Sequence, residues 1–357
     1  MNEHKFPYNW ILKDAVFTKD KGTVFSCFAC GGGSTMGYKL AGFDVIGCNE
    51  IDPKMMEVYI KNHNPKYPFL EPIQTFAKRK DLPKELYELD ILDGSPPCSS
   101  FSMAGNREKD WGKDKVFREG QAMQVLDTLF FDFIDLAKEL QPKVVIAENV
   151  KGLLLGNAKS YVIEIYKQFD KAGYHVQHFL LDASKMGVPQ RRERVFFIAL
   201  RKDLAGQFME RKDMFTMSPK LEMVFNERPI LFKEFADYNG GPITPFAKKA
   251  WDVRSPKDNS IADSKARVPG MKVSDMNTGY VYDDKVCQTL TSKGVCGSLL
   301  YSKPIRLSKE EFCKIGSYPL DYCFDPSNFG YLIGMSVPPV MTAQVASRIH
   351  EQWLSKI

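Results

Sequence analysis

The sequence predicts an α/β fold, in which helices cover a doubly wound and mostly parallel sheet, together with a smaller irregular domain. Short apolar segments alternate with segments of helical periodicity as far as Leu200, and this order is typical of parallel sheets buried on both faces. Several of the apolar segments are followed at once by glycine, proline or an acid. The regular alternation ends after Lys202, which indicates a second domain of different construction.

The composition is that of an ordinary globular protein. The chain has 357 residues, of which 44% are hydrophobic and 26% are charged. These values exclude a disordered chain, a collagen-like fibre and a disulfide-stapled miniprotein. The net charge of +5 permits a polyanionic partner without requiring one.

Targeting and metal signals are absent from the sequence pattern. No apolar run approaches the ~18 residues of a membrane span, and the first residues lack the features of a signal peptide. We therefore expect a cytoplasmic protein whose cysteines are reduced. Among the eight cysteines, Cys27 and Cys30 have the spacing of zinc ligands, but no second pair follows, so no metal site is expected.

Hydrophobic periodicity predicts the elements of the first domain. They are, in order, a strand at 23–29, a helix that Ser34 can cap, a strand at 45–50, a helix opened by Asp52 and Pro53, a strand at 89–94, a helix within 121–140, a strand at 144–147, a helix around 162–169, and strands at 174–181 and 194–200. Strand and helix are expected to alternate throughout. Helical spacing returns after Arg306 and again over 339–354.

A glycine-rich turn follows the first predicted strand. The segment Phe28-Ala29-Cys30-Gly31-Gly32-Gly33 joins that strand to a helix, and residues without Cβ atoms let a ligand lie against the backbone. Glu50 ends the next strand, where an acid in doubly wound folds hydrogen-bonds a ribose hydroxyl. Together they indicate a nucleoside cofactor, although a tight turn beside a solvated glutamate would give the same pattern. The G-x-G-x-x-G fingerprint is absent, which disfavours NAD.

A proline-rich loop ends in a cysteine at the edge of the predicted sheet. Pro96 and Pro97 immediately precede Cys98, at the carboxyl end of a strand, where α/β proteins place their sites. A cysteine held in this way is a candidate nucleophile. A buried structural thiol is an equally good interpretation of these residues alone.

Two further strand ends carry charged residues. Glu148 follows the strand at 144–147, where it could point into a cleft or cap a helix. Arg192 and Arg194 open the last strand, and alternation would place both on one face. Such a face suits a phosphate or a base carbonyl, but two solvated arginines would look the same.

Taken in order, these motifs resemble the DNA cytosine-5 methyltransferase family. The matching segments are FACGGG, NE, SPPCSSFS, ENV, QRRER, the run LDASKMGVPQRRERVFFI at 181–198, RLSKEEFCKIGSYP at 306–319 and IGMSVPP at 333–339. The resemblance covers 23–200 and 300–355, with a variable stretch between them.

The resemblance implies a role for each matched position. Cys98 is the implied nucleophile that adds to cytosine C6, and Glu148 is the acid that contacts N3 and the exocyclic amine. Arg192 contacts the base O2, and Arg194 supports that arrangement. The implied contacts to S-adenosylmethionine are Phe28, Cys30, Gly31, Gly32, Gly33, Glu50, Ile51, Pro97 and Ser336. The implied contacts to DNA are Ser99, Ser102, Gln190, Thr289 and Thr291, and 99–113 resembles the mobile loop that closes over the flipped base.

The same resemblance implies the organisation of the chain. It predicts an N-terminal arm at 1–22, a Rossmann-like catalytic and cofactor-binding domain at 23–202, a target-recognition domain at 203–300 and a returning C-terminal segment at 301–357. Further DNA-contact candidates in the variable stretch are Trp251, Arg254, Lys257, Lys265, Arg267, Lys272 and Lys293, although a solvated side chain is the favoured interpretation of each basic residue taken alone. The expected partner is double-stranded DNA, with a cognate restriction endonuclease as a functional partner if the enzyme is half of a restriction–modification system. A monomer is expected.

Three positions depart from the family pattern, and all three lie in the cofactor half of the site. Cys30 replaces the first glycine of the turn, Pro72 stands where an acid usually contacts the adenine, and Met335 replaces an asparagine. These departures leave open a weak enzyme, or a non-catalytic DNA-binding relative, which the intact nucleophile and acid disfavour. The related branch that methylates tRNA is a further alternative, although its Cys-Phe-Thr signature is not apparent.

Overall fold

The computed structural model describes residues 4–97, 128–155, 159–211, 217–273 and 278–357, without the side chains of 295 and 296. The chain forms two compact units. The first, here the sheet unit, comprises Phe17–Asp182, Glu193–Val224 and Ala343–Ile357. The second, here the loop-rich unit, comprises Met1–Val16, Ala183–Arg192 and Phe225–Thr342. These boundaries differ from the four segments expected from the sequence, whose functional assignment stays a prediction.

The sheet unit is built on seven strands. They are β1 Thr23–Cys27, β2 Asp44–Glu50, β3 Tyr67–Leu70, β4 Ile91–Gly94, β5 Val144–Val150, β6 Tyr174–Asp182 and β7 Glu193–Arg201. Their spatial order is β3-β2-β1-β4-β5-β7-β6. Pairing is parallel from β3 to β5, whereas β7 runs antiparallel to both β5 and β6. This confirms the predicted mostly parallel α/β sheet.

Among the described residues from Thr23 to Arg201, five α-helices accompany these strands. They are α1 Gly33–Leu40, α2 Pro53–His63, α3 Ile73–Phe76, α4 Leu129–Leu140 and α5 Lys159–Lys171. The α2 helix begins as predicted, because the Asp52 side chain accepts hydrogen bonds from the backbone of Lys54 and Met55 while Pro53 occupies the first helical position. The Ser34 cap is wrong: Gly32 takes the cap position with a φ of 91°, so Ser34 already lies inside the helix.

The core of the sheet unit explains the strength of the apolar pattern. Phe130, Phe133 and Leu136 of α4 are fully buried and belong to one cluster with Phe25 of β1 and Phe197 of β7. Full burial of a side chain of this size contributes about 1.5–3 kcal/mol. The core therefore holds the carboxyl ends of β1, β4 and β5 in fixed positions, and those ends carry the candidate site residues.

Apart from the last helix, the remaining elements are short. A hairpin in the sheet unit pairs β8 Met209–Arg211 with β9 Met217–Pro219. The loop-rich unit contains α6 Pro245–Asp252, α7 Ile261–Lys265, β10 Gly279–Val281, β11 Ser298–Leu300, α8 Lys309–Ile315 and α9 Phe329–Met335. The last helix, α10 Pro339–Gln352, crosses the boundary between the units. The predicted N-terminal arm at 1–22 is divided between the units. Met1–Val16 belongs to the loop-rich unit, where the indole of buried Trp10 donates to the carbonyl of Ser317, and the remaining residues of the arm belong to the sheet unit.

Two features of the topology differ from the sequence prediction. The edge strand β3 was not predicted, since its burial alternates and Pro68 interrupts a strand-like pattern. Strand and helix do not alternate throughout, because no α-helix lies between β6 and β7. The segment that connects these two strands contains a single 3₁₀ turn, at Ala183–Lys185. This direct connection permits the antiparallel pairing of β6 with β7.

Within the described segments, no helix is long and apolar enough to cross a membrane. The same segments hold no group of three or more His, Cys, Asp or Glu side chains that could bind a metal ion. Six cysteines have described side chains, and none of these six forms a disulfide.

Candidate active site

The glycine turn between β1 and α1 has an unusual backbone. Phe28 and Cys30 have φ values of 52° and 48°, and Gly32 has a φ of 91°. Positive φ is inexpensive for glycine but costs about 1–2 kcal/mol for a residue with a side chain. The departure at Cys30 therefore preserves the conformation that glycine would adopt, at the expense of local strain.

The Glu50 carboxylate holds this turn together. One oxygen accepts from the backbone N–H of Cys30 at 2.7 Å, and the other accepts from Ile51 at 2.8 Å and Asp52 at 2.9 Å. Burial raises the pKa of Glu50, and the three amide contacts act in the opposite direction. A carboxylate has about four acceptor positions, so Glu50 can still accept a hydrogen bond from a ligand hydroxyl.

Half-buried apolar side chains flank the same turn. Phe28 packs edge-on against Phe133 with ring centroids 6.3 Å apart, and Ile51 follows Glu50 directly. Acceptor oxygens beside half-buried apolar surface suit a nucleoside, whose sugar is polar and whose base is flat and apolar. The donor and acceptor chemistry of this turn therefore fits the adenosyl part of S-adenosylmethionine.

Replacing Cys30 with glycine is expected to raise the free energy of unfolding by about 1 kcal/mol, since glycine adopts positive φ without strain. Urea unfolding of the two proteins measures the difference. Ala41→Gly is the matched control, because Ala41 has an ordinary helical φ of −74° and should lose stability. A lower free energy of unfolding for Cys30→Gly would contradict the inference that the backbone is strained at Cys30.

The proline loop begins at the end of β4. Gly94 lies against the ring of Phe133, where an added Cβ would come within 2.6 Å of the ring. The side-chain amide of buried Asn149 donates to the carbonyl of Pro96 at 3.1 Å, which ties the loop to β5. Pro97 is half-buried. Cys98, Ser99, Ser102 and the predicted mobile loop at 99–113 lie outside the described residues.

Glu148 and Arg194 form a buried ion pair between β5 and β7. The Arg194 Nε lies 2.9 Å from Glu148 Oε1, and both side chains are largely buried. Burial lowers the pKa of Arg194, while the charge of Glu148 opposes that shift. The antiparallel register brings the pair together, because Val150 on β5 lies opposite Arg194. Glu148 was expected after a strand end, but β5 extends through it to Val150.

Arg192 has different surroundings. The predicted alternation with Arg194 is wrong, because β7 begins at Glu193 and Arg192 precedes it. In the loop-rich unit, the Arg192 guanidinium is 1% exposed and donates to the carbonyls of Leu290 at 2.9 Å and Gly334 at 3.2 Å. These contacts join two segments that are distant in the sequence. Its contact with a base stays a prediction.

Three of the other predicted DNA and cofactor contacts of the loop-rich unit, Gln190, Thr289 and Ser336, have backbone partners. Gln190 is 1% exposed; its amide donates to Ile315 and its oxygen accepts from Leu290. Thr289 is exposed and donates to the carbonyl of Arg191, Thr291 is exposed, and the Ser336 hydroxyl donates to Leu332 at the end of α9. Their roles toward DNA or cofactor stay predictions.

Several basic candidates of the variable stretch have internal partners. Arg267 pairs with Asp258, Arg254 donates to two backbone carbonyls while stacking on Trp251, and Lys265 is buried. A charge with such partners is a weaker phosphate ligand than a solvated one. Lys257, Lys272 and Lys293 are exposed and stay the better candidates for phosphate contacts.

Sequence reasoning missed two residues of this region. The anchoring role of Asn149 was not predicted, although the residue lies within a matched motif. Asp93 was taken as part of an apolar strand. The signal that could have identified Asp93 is the presence of an acid inside a short, fully buried strand. Burying a charged group costs free energy unless other groups compensate for its lost hydration, so such an acid has specific partners.

The sheet order defines an α/β protein of the doubly wound class. The glycine turn with its acid, and the ion pair beside an anchored proline loop, lie at the carboxyl ends of the parallel strands, where this class places its ligands. The family model described as C-5 cytosine-specific DNA methylase matches residues 22–351, and the chain belongs to this family.

Individual relatives agree with this assignment. The chain is 39% identical over 182 residues to a type II methyltransferase, M.FnuDI, of Fusobacterium nucleatum, a match that covers 51% of this chain and 47% of the relative. It therefore spans about half the length of that relative. It is 28% identical to M1.HphI of Haemophilus parahaemolyticus over 92% of this chain and 86% of the relative. A solved Escherichia coli prophage protein, assigned as a DNA modification methyltransferase, has the same fold, with a TM-score of 0.62 and 20% identity over 92% of this chain and 99% of that one.

Proposed function

We propose that this protein is a DNA (cytosine-5-)methyltransferase that uses S-adenosylmethionine. Family membership supports the reaction class. The observation that carries the proposal is the buried Glu148–Arg194 pair, because the next residue along β5, Asn149, anchors the loop that leads to Cys98. One short strand thus holds both the candidate acid and the segment that presents the candidate nucleophile.

Cytosine C5 is too weak a nucleophile to take a methyl group unaided. In the proposed reaction, the Cys98 thiolate adds to C6, so that electron density moves through the ring to C5, which is nucleophilic catalysis. Glu148 acts as the acid: it donates a proton or a hydrogen bond to N3, which absorbs the negative charge that develops there, and this contributes about 10²–10⁴-fold to the rate. Bound S-adenosylmethionine supplies the methyl group as a sulfonium. Loss of the C5 proton to a base then expels the thiolate and restores the aromatic ring.

The remaining residues bind and orient. Glu50 accepts hydroxyl hydrogen bonds from the sugar, while Phe28 and Ile51 cover the base of the cofactor. Arg194 keeps Glu148 oriented through its ion pair. The target cytosine must leave the helix, because neither face of a stacked base is accessible to a thiol and a methyl donor. Double-stranded DNA is therefore the proposed partner, and the cytoplasm the proposed location.

The direct test is 5-methylcytosine sequencing of DNA from a host that lacks cytosine methylation and expresses this protein. We expect one short sequence context to be methylated almost completely, and no methylation above background with a Cys98→Ser variant expressed to the same level. Absence of 5-methylcytosine in DNA despite folded protein would contradict the proposal. Methylation confined to tRNA would replace DNA by RNA as substrate. A monomeric state and a cognate endonuclease remain predictions.

A further inference from the structure

Asp93 is a buried carboxylate that none of the proposed roles uses. It is 4% exposed and lies one residue before the end of β4. Its Oδ2 accepts from the Ser26 hydroxyl at 2.8 Å, and its Oδ1 accepts from the Tyr38 hydroxyl at 2.9 Å. Both hydroxyl residues are 1% exposed. In the described part of the chain, no Lys, Arg or His forms an ion pair with Asp93.

These two contacts connect the two parts of the proposed site. Ser26 lies on β1 just before the glycine turn, directly opposite Asp93 in the parallel register, and Tyr38 lies on α1 just after that turn. Asp93 itself stands two residues before Ser95, where the proline loop begins. A single carboxylate therefore joins both sides of the glycine turn to the strand that carries the loop toward Cys98.

The carboxylate is poorly accommodated as a charge. The titratable groups that act on it or respond to it are Cys27 on β1, Tyr38 on α1, Tyr59 on α2 and Glu148 on β5, and none of them is a cation. Burial, with a smaller contribution from Glu148, raises the pKa of Asp93 to about 7, against the two hydroxyl contacts. Asparagine has the same shape and could pair with both hydroxyls without a charge. A stable fold alone does not require an ionisable group here.

We propose that Asp93 is a positioning residue, which uses its two hydroxyl contacts to hold the glycine turn and the proline loop in the arrangement that binds the cofactor. This inference rests on the proposed function. Only the ionised carboxylate accepts from both hydroxyls at once, since a protonated carboxyl or an asparagine must donate to one of them.

Stability and binding should consequently respond to pH in opposite directions. Because the folded state raises the pKa of Asp93, protonation of this group favours folding at low pH. Its contribution to the free energy of unfolding is lost as the pH rises through about 7. Cofactor binding, in contrast, requires the ionised form and should weaken as the pH falls from 8 to 6. A purely structural residue would change stability and binding together.

The test uses the full chain and S-adenosylhomocysteine as the probe, with Asp93→Asn as the variant. We expect calorimetric affinity at pH 8 to fall about tenfold, the value of one charge-assisted hydrogen bond, while the melting temperature stays equal or rises. The affinity of the wild type should decrease toward pH 6, and that of Asp93→Asn should stay flat. Unchanged affinity, or a parallel loss of affinity and melting temperature, would overturn the proposal.

Asp90→Asn is the matched control. Asp90 lies just before β4, accepts from the backbone and hydroxyl of Thr23 on β1, and pairs with Lys143. The Asp90→Asn substitution should lower the melting temperature without changing the affinity for S-adenosylhomocysteine. If the wild type binds no S-adenosylhomocysteine, the proposed function is wrong. In that case amide hydrogen exchange tests the positioning role of Asp93 on its own. Exchange over 26–38 and 91–97 that is faster than in the wild type for Asp93→Asn, but not for Asp90→Asn, supports the positioning role. Exchange equal to that of the wild type in Asp93→Asn overturns that role.

Discussion

Replacing Cys98 with serine is expected to abolish the covalent complex with duplex DNA that contains 5-fluorocytosine. In the proposed reaction the wild-type thiolate adds to C6 and C5 takes the methyl group, but fluorine at C5 cannot leave as a proton does, so the bond to the enzyme persists. A serine hydroxyl is far less ionised than a thiol near neutral pH and does not add. Turnover on unmodified DNA should fall at least about 10³-fold. Denaturing gel electrophoresis measures the complex, and equilibrium binding should show that duplex DNA is still bound.

The chain offers a control for this substitution. Cys323 is a half-buried cysteine of the loop-rich unit that forms no disulfide, and Cys323→Ser makes the same chemical change at a position without a proposed role. It should form the covalent complex at the rate of the wild type. A complex that persists in Cys98→Ser, or one that disappears in Cys323→Ser, would contradict the assignment of the nucleophile.

The sequence predicted those parts of the fold that local chemistry determines. The start of α2 followed from Asp52 and Pro53, because a cap and a fixed φ act within one turn. Strands β2, β5 and β7 were found because residues buried on both faces must be apolar. The edge strand β3 escaped prediction, since it pairs on one side only and its alternating burial leaves a weak pattern.

The site was predicted as an order of motifs, whereas its contacts depend on register between distant segments. The pairing of Val150 with Arg194 brings that arginine to Glu148, and no local pattern specifies this register. The prediction that Arg192 and Arg194 share one strand face was wrong because β7 begins at Glu193. Arg192 precedes the strand, and the alternation of side chains along a strand does not apply to it. Asp93 was overlooked because its partners Ser26 and Tyr38 come from other elements.

Replacing Glu148 with glutamine is expected to slow turnover by about 10²–10⁴-fold, because an amide can donate a hydrogen bond to N3 but cannot transfer a proton to it. Affinity for duplex DNA should change much less. The substitution also leaves the largely buried Arg194 guanidinium without its counter-charge, and loss of one partner of a buried pair costs about 3 kcal/mol of unfolding free energy. Single-turnover kinetics and urea unfolding measure the two effects separately.

A second substitution distinguishes chemistry from stability. Arg194→Met on the Glu148→Gln background removes the unpaired charge and fills a similar volume, which should restore most of the lost stability. It should restore none of the turnover, because the acid is still missing. Glu193→Gln is the matched control: its partner Lys151 is 42% exposed, so the same change in a surface pair should alter stability by less than about 1 kcal/mol and leave turnover intact. Recovery of turnover together with stability in the double variant would show that Glu148 acts only through the fold.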